Sequence, residues 1–250
     1  MPLWIPITIA AAFLQNLRSA LQRQLARDLT ATSATYVRFL FGLPVAIVYL
    51  WVLLATLDVD LSAPPPEFYV YAVLGGVAQI IGTVLLVALF AHRNFVVGTT
   101  YSKTETVQTA LFGILVFGET ITLGAGIGIA VSLVGVIAIS MARTEASPSA
   151  LITSLTERAA LMGIGSGAAY GVAAVCYRAG SLSLGMGGFL VPAAITLAVV
   201  LTIQTLLMTG WLLWKDKTSL MATLKNWPAS LAIGVAGALG SIGWFTAMTL

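Results

Sequence analysis

Charge is what this chain has least of. Only 8% of its 250 residues are Asp, Glu, Lys or Arg, against about 25% in an ordinary soluble domain. A soluble fold of this size would need far more polar surface to cover its core. The single cysteine, Cys176, excludes a disulfide framework within the chain, and the single histidine, His92, leaves no Cys/His metal site. The Lys and Arg residues form no cluster resembling a nucleic-acid footprint. No metal, cofactor or nucleic acid is therefore expected as a partner. The opening MPLWIPITIAAAFLQNL has no Lys or Arg ahead of its apolar core, which favours a first spanning helix over a cleaved signal peptide. What is abundant is apolar: 59% hydrophobic residues and 24 glycines. That combination suits helices packed closely in lipid, where small residues let backbones approach. The expected fold class is an all-α polytopic membrane protein, with the lipid bilayer as its solvent.

A spanning helix needs about 20 predominantly apolar residues. Eight stretches qualify, at 4–23, 34–56, 68–91, 95–118, 121–142, 159–179, 188–214 and 229–250. Loop signals separate them, among them Arg27-Asp28, the Pro-rich acidic segment 58–67, His92-Arg93-Asn94, Gly118-Glu119-Thr120 and the stretches 143–158, 180–188 and 215–228. The odd-numbered loops hold Arg23, Arg27, Arg93, Arg143, Arg158, Lys215, Lys217 and Lys225, whereas the even-numbered loops hold Arg178. By the positive-inside rule the odd loops are cytoplasmic and the amino terminus is outside. This parity bears on TYSKTETVQTA, residues 100–110, whose composition reads as a loop. If residues 95–118 did not cross, every later basic loop would be stranded outside. The crossing must then contain Lys103 and Glu105.

Five helices precede the basic linker 143–158, and the second half carries echoes of the first. Gly76 and Gly82 stand six apart, as do Gly237 and Gly243, and Arg23 and Arg178 fall at the ends of the first and sixth spans. The loops echo with reversed charge. The first is basic and its counterpart SLSLGMGG is uncharged; the second holds Asp58, Asp60 and Glu67, and its counterpart holds three lysines. Reversed charge bias is the mark of an inverted repeat, a plan common among secondary transporters. Residues 1–142 read as a first five-helix repeat, 143–158 as a cytoplasmic linker and 159–250 as an incomplete second repeat of three helices. Eight of an expected ten spans are then present, and the chain reads as a fragment.

Two inverted five-helix halves of this length resemble the drug/metabolite transporter superfamily in its EamA-type branch. The residues that carry the resemblance are Arg38-Phe39 of TYVRFLFGLP, and LVFGETIT, which sets Glu119 ahead of the glycine-rich GAGIGIAVSLVGVIAI. It covers nearly the whole chain with short, permissive motifs. The resemblance implies ten helices, a central cavity and alternating access, usually for efflux of amino acids, metabolites or drugs.

Charges inside spans cost about 2.5–3.5 kcal/mol each on insertion scales, so Lys103 and Glu105 must face the bundle or a wet cavity. On a regular helix residues two apart diverge by about 200°, which rules out a same-face pair. Tyr101, Glu105 and Gln108 share a face, and Lys103 falls opposite with Val107 and Ala110. Each charge therefore needs a partner on another helix, or a broken turn at this point. Gln15, Arg18, Ser19 and Gln22 share a face of the first span, with Asn16 beside them, and Arg38 enters at the start of the second. For Arg18 an inward role competes with snorkelling to the headgroups, and so it does for Arg38. The expectation is a polar cavity lined by Gln15, Asn16, Arg18, Arg38, Tyr101, Lys103, Glu105 and Gln108. Lys103 or Arg18 would bind an anionic group, and Glu105 would bind an ammonium group or exchange a proton. The rival reading is a static charge network in a non-transporting scaffold or channel.

The remaining features read more plainly. Gly163, Gly167 and Gly171, and Gly124, Gly128 and Ser132, are small-residue packing faces. Trp4, Trp51, Trp211 and Trp214 suit interfacial belts, Cys176 reads as a packing residue, and Tyr177 and Arg178 as interfacial anchors in preference to residues reaching the cavity mouth. One histidine at a loop supplies no metalloenzyme site, and Ser102 beside Lys103 is poor geometry for serine chemistry, so no catalytic residue is expected. Short loops suggest a bacterial inner membrane. The substrate is a small molecule of unnamed kind, and the sequence leaves coupling and oligomeric state open, a homodimer included.

Overall fold

In the computed structural model, residues 2–27, 29–57, 59, 63–90, 100–118, 120, 122–144 and 156–250 are described. The helices are α1 (Trp4–Leu25), α2 (Ala31–Thr56), α3 (Pro66–Leu89), α4 (Glu105–Phe117), α5 (Leu123–Thr144), α6 (Arg158–Ser183), α7 (Leu190–Lys215), α8 (Lys217–Lys225) and α9 (Trp227–Thr249). Among the described residues no strand occurs. Five helices, α2, α3, α6, α7 and α9, are long and apolar enough to cross a bilayer. The protein is an all-α polytopic membrane protein. Each of the eight expected spans falls on a helix, but the fourth differs from the expectation. Its regular part, α4, has 13 residues and reaches only about 20 Å, against a hydrocarbon core of about 30 Å. His92, Arg93, Asp58, Asp60, Glu119, residues 95–99 and most of the 143–158 linker lie outside the described residues.

Local chemistry explains the helix ends. The Thr30 hydroxyl accepts from the Ser33 N–H at 3.2 Å and starts α2. Gly118 takes φ 65°, and its N–H reaches the Gly113 and Ile114 carbonyls to end α4. The stretch 215–228, expected as a loop, instead contains α8. Asp216 caps it, accepting from the Ser219 N–H at 3.0 Å and from the Ser219 hydroxyl. These bonds hold the Asp216 carboxyl below its ordinary range, the side-chain bond contributing most. A nine-residue polar helix is invisible to a search for apolar length.

The chain divides into two compact units. One comprises residues 1–77 and 176–250, the other residues 78–175. In the first, α1 and α9 run antiparallel along a glycine seam. A Cβ added to Gly243 would stand 2.8 Å from the Ala11 Cβ, one at Gly240 would meet Leu14, and one at Gly237 would meet Arg18. Gly234 packs against the backbone of Phe41 in α2, where a Cβ has no room. The N-terminal part of α2, Ser33 to Phe39, is buried on all sides. Tyr36 reaches α7 through a 2.7 Å hydroxyl–hydroxyl bond to Thr209. In the second unit the glycines of α6 do the corresponding work. Ser166 donates to the Gly82 carbonyl at 2.8 Å and Tyr170 donates to Thr83 at 3.0 Å, which fastens α6 to α3.

Candidate functional site

In the first unit Arg18 and Arg38 are buried, with 3% and 5% of their surface exposed. The expectation left snorkelling open for both; the structure turns both inward. Gly237 makes this feasible. A Cβ there would lie 3.2 Å from the Arg38 Cγ and 3.3 Å from the Arg18 Cδ, so both stems pass over the space that a side chain would occupy. The Arg38 Nη2 donates to the Ser241 hydroxyl at 3.3 Å, one turn along α9. The Arg18 Nη2 stands 3.5 Å from the Ser19 hydroxyl, which itself donates to the Gln15 carbonyl at 2.8 Å. Three helices thus converge on a buried cationic cluster. Gln15 lies half-buried beside it and Asn16 is exposed. Gln22, on the same face of α1, is structural, since its amide donates to the Ala34 carbonyl at 2.9 Å and ties α1 to α2.

A second polar cluster in this unit escaped the sequence reading. Gln204, wholly buried in α7, donates to the Gly76 carbonyl at 3.1 Å and to the Tyr177 hydroxyl at 3.3 Å. Tyr177 in turn donates to the Gly75 carbonyl at 2.9 Å and stacks on Phe245 with ring centroids 4.5 Å apart. Tyr177 was expected as an interfacial anchor; it is a core residue, while Arg178 is exposed. Cys176 is buried, as a packing residue would be, with its Cβ where a side chain on Gly75 would fall. The available signal was a lone amide, flanked by Thr202 and Thr205, in the mainly apolar stretch LTIQTLL.

The second unit holds Tyr101, Lys103, Glu105 and Gln108. Residues 100–102 form one helical turn, residues 103–104 interrupt it, and α4 starts at Glu105. At the break the Lys103 N–H bonds to the Thr100 carbonyl at 3.0 Å and the Thr104 N–H to the Tyr101 carbonyl at 3.1 Å. These are three-residue steps in place of the helical four. Thr104 sits at the N-cap but its hydroxyl caps nothing. It donates instead to the Tyr101 carbonyl at 2.6 Å and accepts from the Gln108 amide at 2.7 Å. The hydroxyl therefore bridges both sides of the interruption, which lets irregular backbone persist within an apolar segment. Of the two alternatives open in the sequence, the broken turn is present. The regular face through Tyr101, Glu105 and Gln108 is interrupted. Lys103 is exposed, and the side chains of Tyr101 and Glu105 are half-buried.

The break is seated on α6. A Cβ on Gly167 would come 2.9 Å from the Ser102 carbonyl oxygen, 3.1 Å from the Glu105 nitrogen and 3.4 Å from the Gln108 amide. One on Gly171 would meet Thr109 and Phe112. The small-residue stripe of α6 is thus the bed for interrupted backbone. Gly124 and Gly128 of α5, the other expected packing face, meet nothing within 4 Å among the described residues. Among the described residues no group of His, Cys, Asp and Glu could hold a metal ion.

Comparison with known proteins bears on what such an arrangement serves. The sequence matches the EamA-like transporter family over residues 2–141, more than half of the chain. No individual curated protein matches it. Together with the helical architecture and its polar groups inside apolar spans, the match places the chain plainly: it belongs to the EamA-like transporter family.

Proposed function

We propose that this chain is a secondary transporter that exports small metabolites, amino acids or drug-like molecules by alternating access. The observation that carries the reading is the burial of Arg18 and Arg38 against the same glycine, Gly237. Arginine within a span costs about 2.5–3.5 kcal/mol on insertion scales, and such residues commonly mark substrate or ion pathways. Guanidinium groups present planar forks of donors that match a carboxylate or phosphate. Arg18 and Arg38 hold the anionic group of the substrate, with Gln15 contributing an amide from the same face of α1; Asn16, exposed two residues from Arg18, falls on the opposite side.

In the second unit Tyr101, Lys103, Glu105 and Gln108 surround the interrupted backbone. Discontinuous helices are where secondary transporters commonly bind substrate and coupling ions. Glu105, in the first turn of α4, carries the exchangeable proton, and Lys103 supplies a second cation. The basic odd-numbered loops set the amino terminus outside, in a bacterial inner membrane. A homodimer is compatible with this arrangement and is not needed for it.

Glu105→Gln transport in vesicles, measured across pH, tests the coupling. The expected result is transport that persists but no longer follows the proton gradient. Unchanged pH dependence would remove Glu105 as the proton site. Loss of folded protein alone would favour a static polar network.

A further inference from the structure

Where the C-terminal end of α1 meets the N-terminal end of α9, a groove of about 190 Å³ opens at the surface of the first unit. Leu21 and Leu25 of α1 and Ile233 of α9 form an apolar wall, and the amides Gln24 and Asn226 stand among its lining residues. We propose that this groove binds one anionic phospholipid, its phosphate at the amides and one acyl chain along the apolar wall.

Three observations support that occupant. First, the charge around the groove is complementary to an anion. Arg23 and Lys225 are exposed and directly precede the lining residues Gln24 and Asn226, and Arg27 follows Leu25 by two positions. Among the described residues, the chain segments at this end carry five cations (with Lys215 and Lys217) against the carboxylate of Asp216. Second, α9 starts here; its positive end meets the negative end of α8 at Asn226, so what the 23-residue helix offers an anion is its first-turn N–H groups and not a net dipole. Third, the lining is mixed, with Leu21, Leu25, Ala229, Ala232 and Ile233 beside the two amides, so it offers an acyl chain a contact that free phosphate would not use. Its rim residues Ala229 and Ala232 are exposed, and Trp227, 57% exposed, suits the headgroup level. Basic pockets between spanning helices on the cytoplasmic side are where anionic headgroups bind. The site is separate from Arg18, Arg38 and the proposed transport reaction, and it stands or falls independently of them.

Native mass spectrometry of the delipidated full chain tests the assignment. It is titrated with dioleoyl-phosphatidylglycerol, with dioleoyl-phosphatidylcholine, and with soluble glycerol phosphate as competitor. One phosphatidylglycerol should be retained at several-fold higher occupancy than phosphatidylcholine. Lys225→Gln should lower that occupancy several-fold, and Ala232→Trp or Ala229→Trp, each at an exposed position, should abolish it while leaving the melting temperature unchanged. Equal retention of the two lipids, or full retention in both tryptophan variants, would overturn the proposal. So would displacement of the lipid by glycerol phosphate at equal concentration, which would make this a simple anion site.

Discussion

In the unit built around α1, α2, α7 and α9, polar side chains are buried on helices that stay intact. In the unit built around α6, the helix beside the polar residues is itself interrupted. Glycine enables both. On α9, Gly237 yields its side-chain volume to the stems of Arg18 and Arg38. On α6, Gly167 yields the same volume to the backbone of Ser102 to Glu105. The difference lies in what is brought inside: two cationic side chains in one unit, main-chain groups in the other. A buried guanidinium offers fixed charge, whereas an interrupted backbone depends on a bridging hydroxyl, here that of Thr104. The first arrangement suits holding an anion.

The comparison can be broken at its glycines. Gly234→Ala should have the largest effect, because its Cβ would overlap the Phe41 backbone; overpacking of this kind costs about 1–3 kcal/mol and occasionally more. A large drop in the melting temperature of the purified protein is expected, and an unchanged melt would contradict the α2–α9 packing. Gly167→Ala should cost less, toward the lower end of that range at about 1 kcal/mol, because its closest contact would be 2.9 Å, longer than those with Phe41 at Gly234, and Ser102 and Glu105 can shift with the break. Its distinguishing effect is on transport, which should fall further than stability does. Gly128→Ala in α5 meets nothing among the described residues and should instead stabilise by about 0.5–1 kcal/mol, the usual gain for glycine to alanine inside a helix. Opposite signs at Gly234 and Gly128 would separate filled seams from open faces.

Smaller effects sharpen the first unit. Gln22→Leu removes the bond to the Ala34 carbonyl and should cost about 0.6 kcal/mol, the mean for interhelical bonds within membranes. Asp216 has its folded-state ionisation lowered by Ser219. Its contribution to the start of α8 is therefore fully present above the ordinary carboxylate range and lost as pH falls through the lowered folded value. Hydrogen exchange in α8, corrected for the intrinsic rate, should show constant protection at neutral pH and lose it only in acid. Asp216→Asn should weaken that dependence.

Much of the fold was legible because apolar length is a direct statement about the bilayer. All eight expected stretches contain helix, and the inward-facing polar face of α1 was readable from the spacing of Gln15, Arg18, Ser19 and Gln22. What stayed hidden depends on neighbours. Periodicity shows which face Arg18 occupies but not that Gly237 makes room for it. The interruption at Lys103 and Thr104 could not be chosen over a regular helix, because the choice rests on Gly167 supplying the bed and Gln108 completing the Thr104 bridge. Tyr177 looked interfacial from its place beside Arg178; its partner, Gln204, is distant in sequence. Helix α8 was missed because its cap, Asp216, precedes a segment with no apolar signature.

Solute counterflow in proteoliposomes bears most directly on the claim that Arg18 and Arg38 hold an anionic substrate. The full protein would be assayed against anionic, zwitterionic and cationic metabolites, with wild type beside Arg38→Gln and Arg18→Gln. Saturable exchange of substrates carrying a carboxylate or phosphate is predicted, reduced at least about tenfold in either variant, the loss of about 1.4 kcal/mol of binding, while folded protein is recovered in normal yield. Saturable exchange left intact in both folded variants would contradict it.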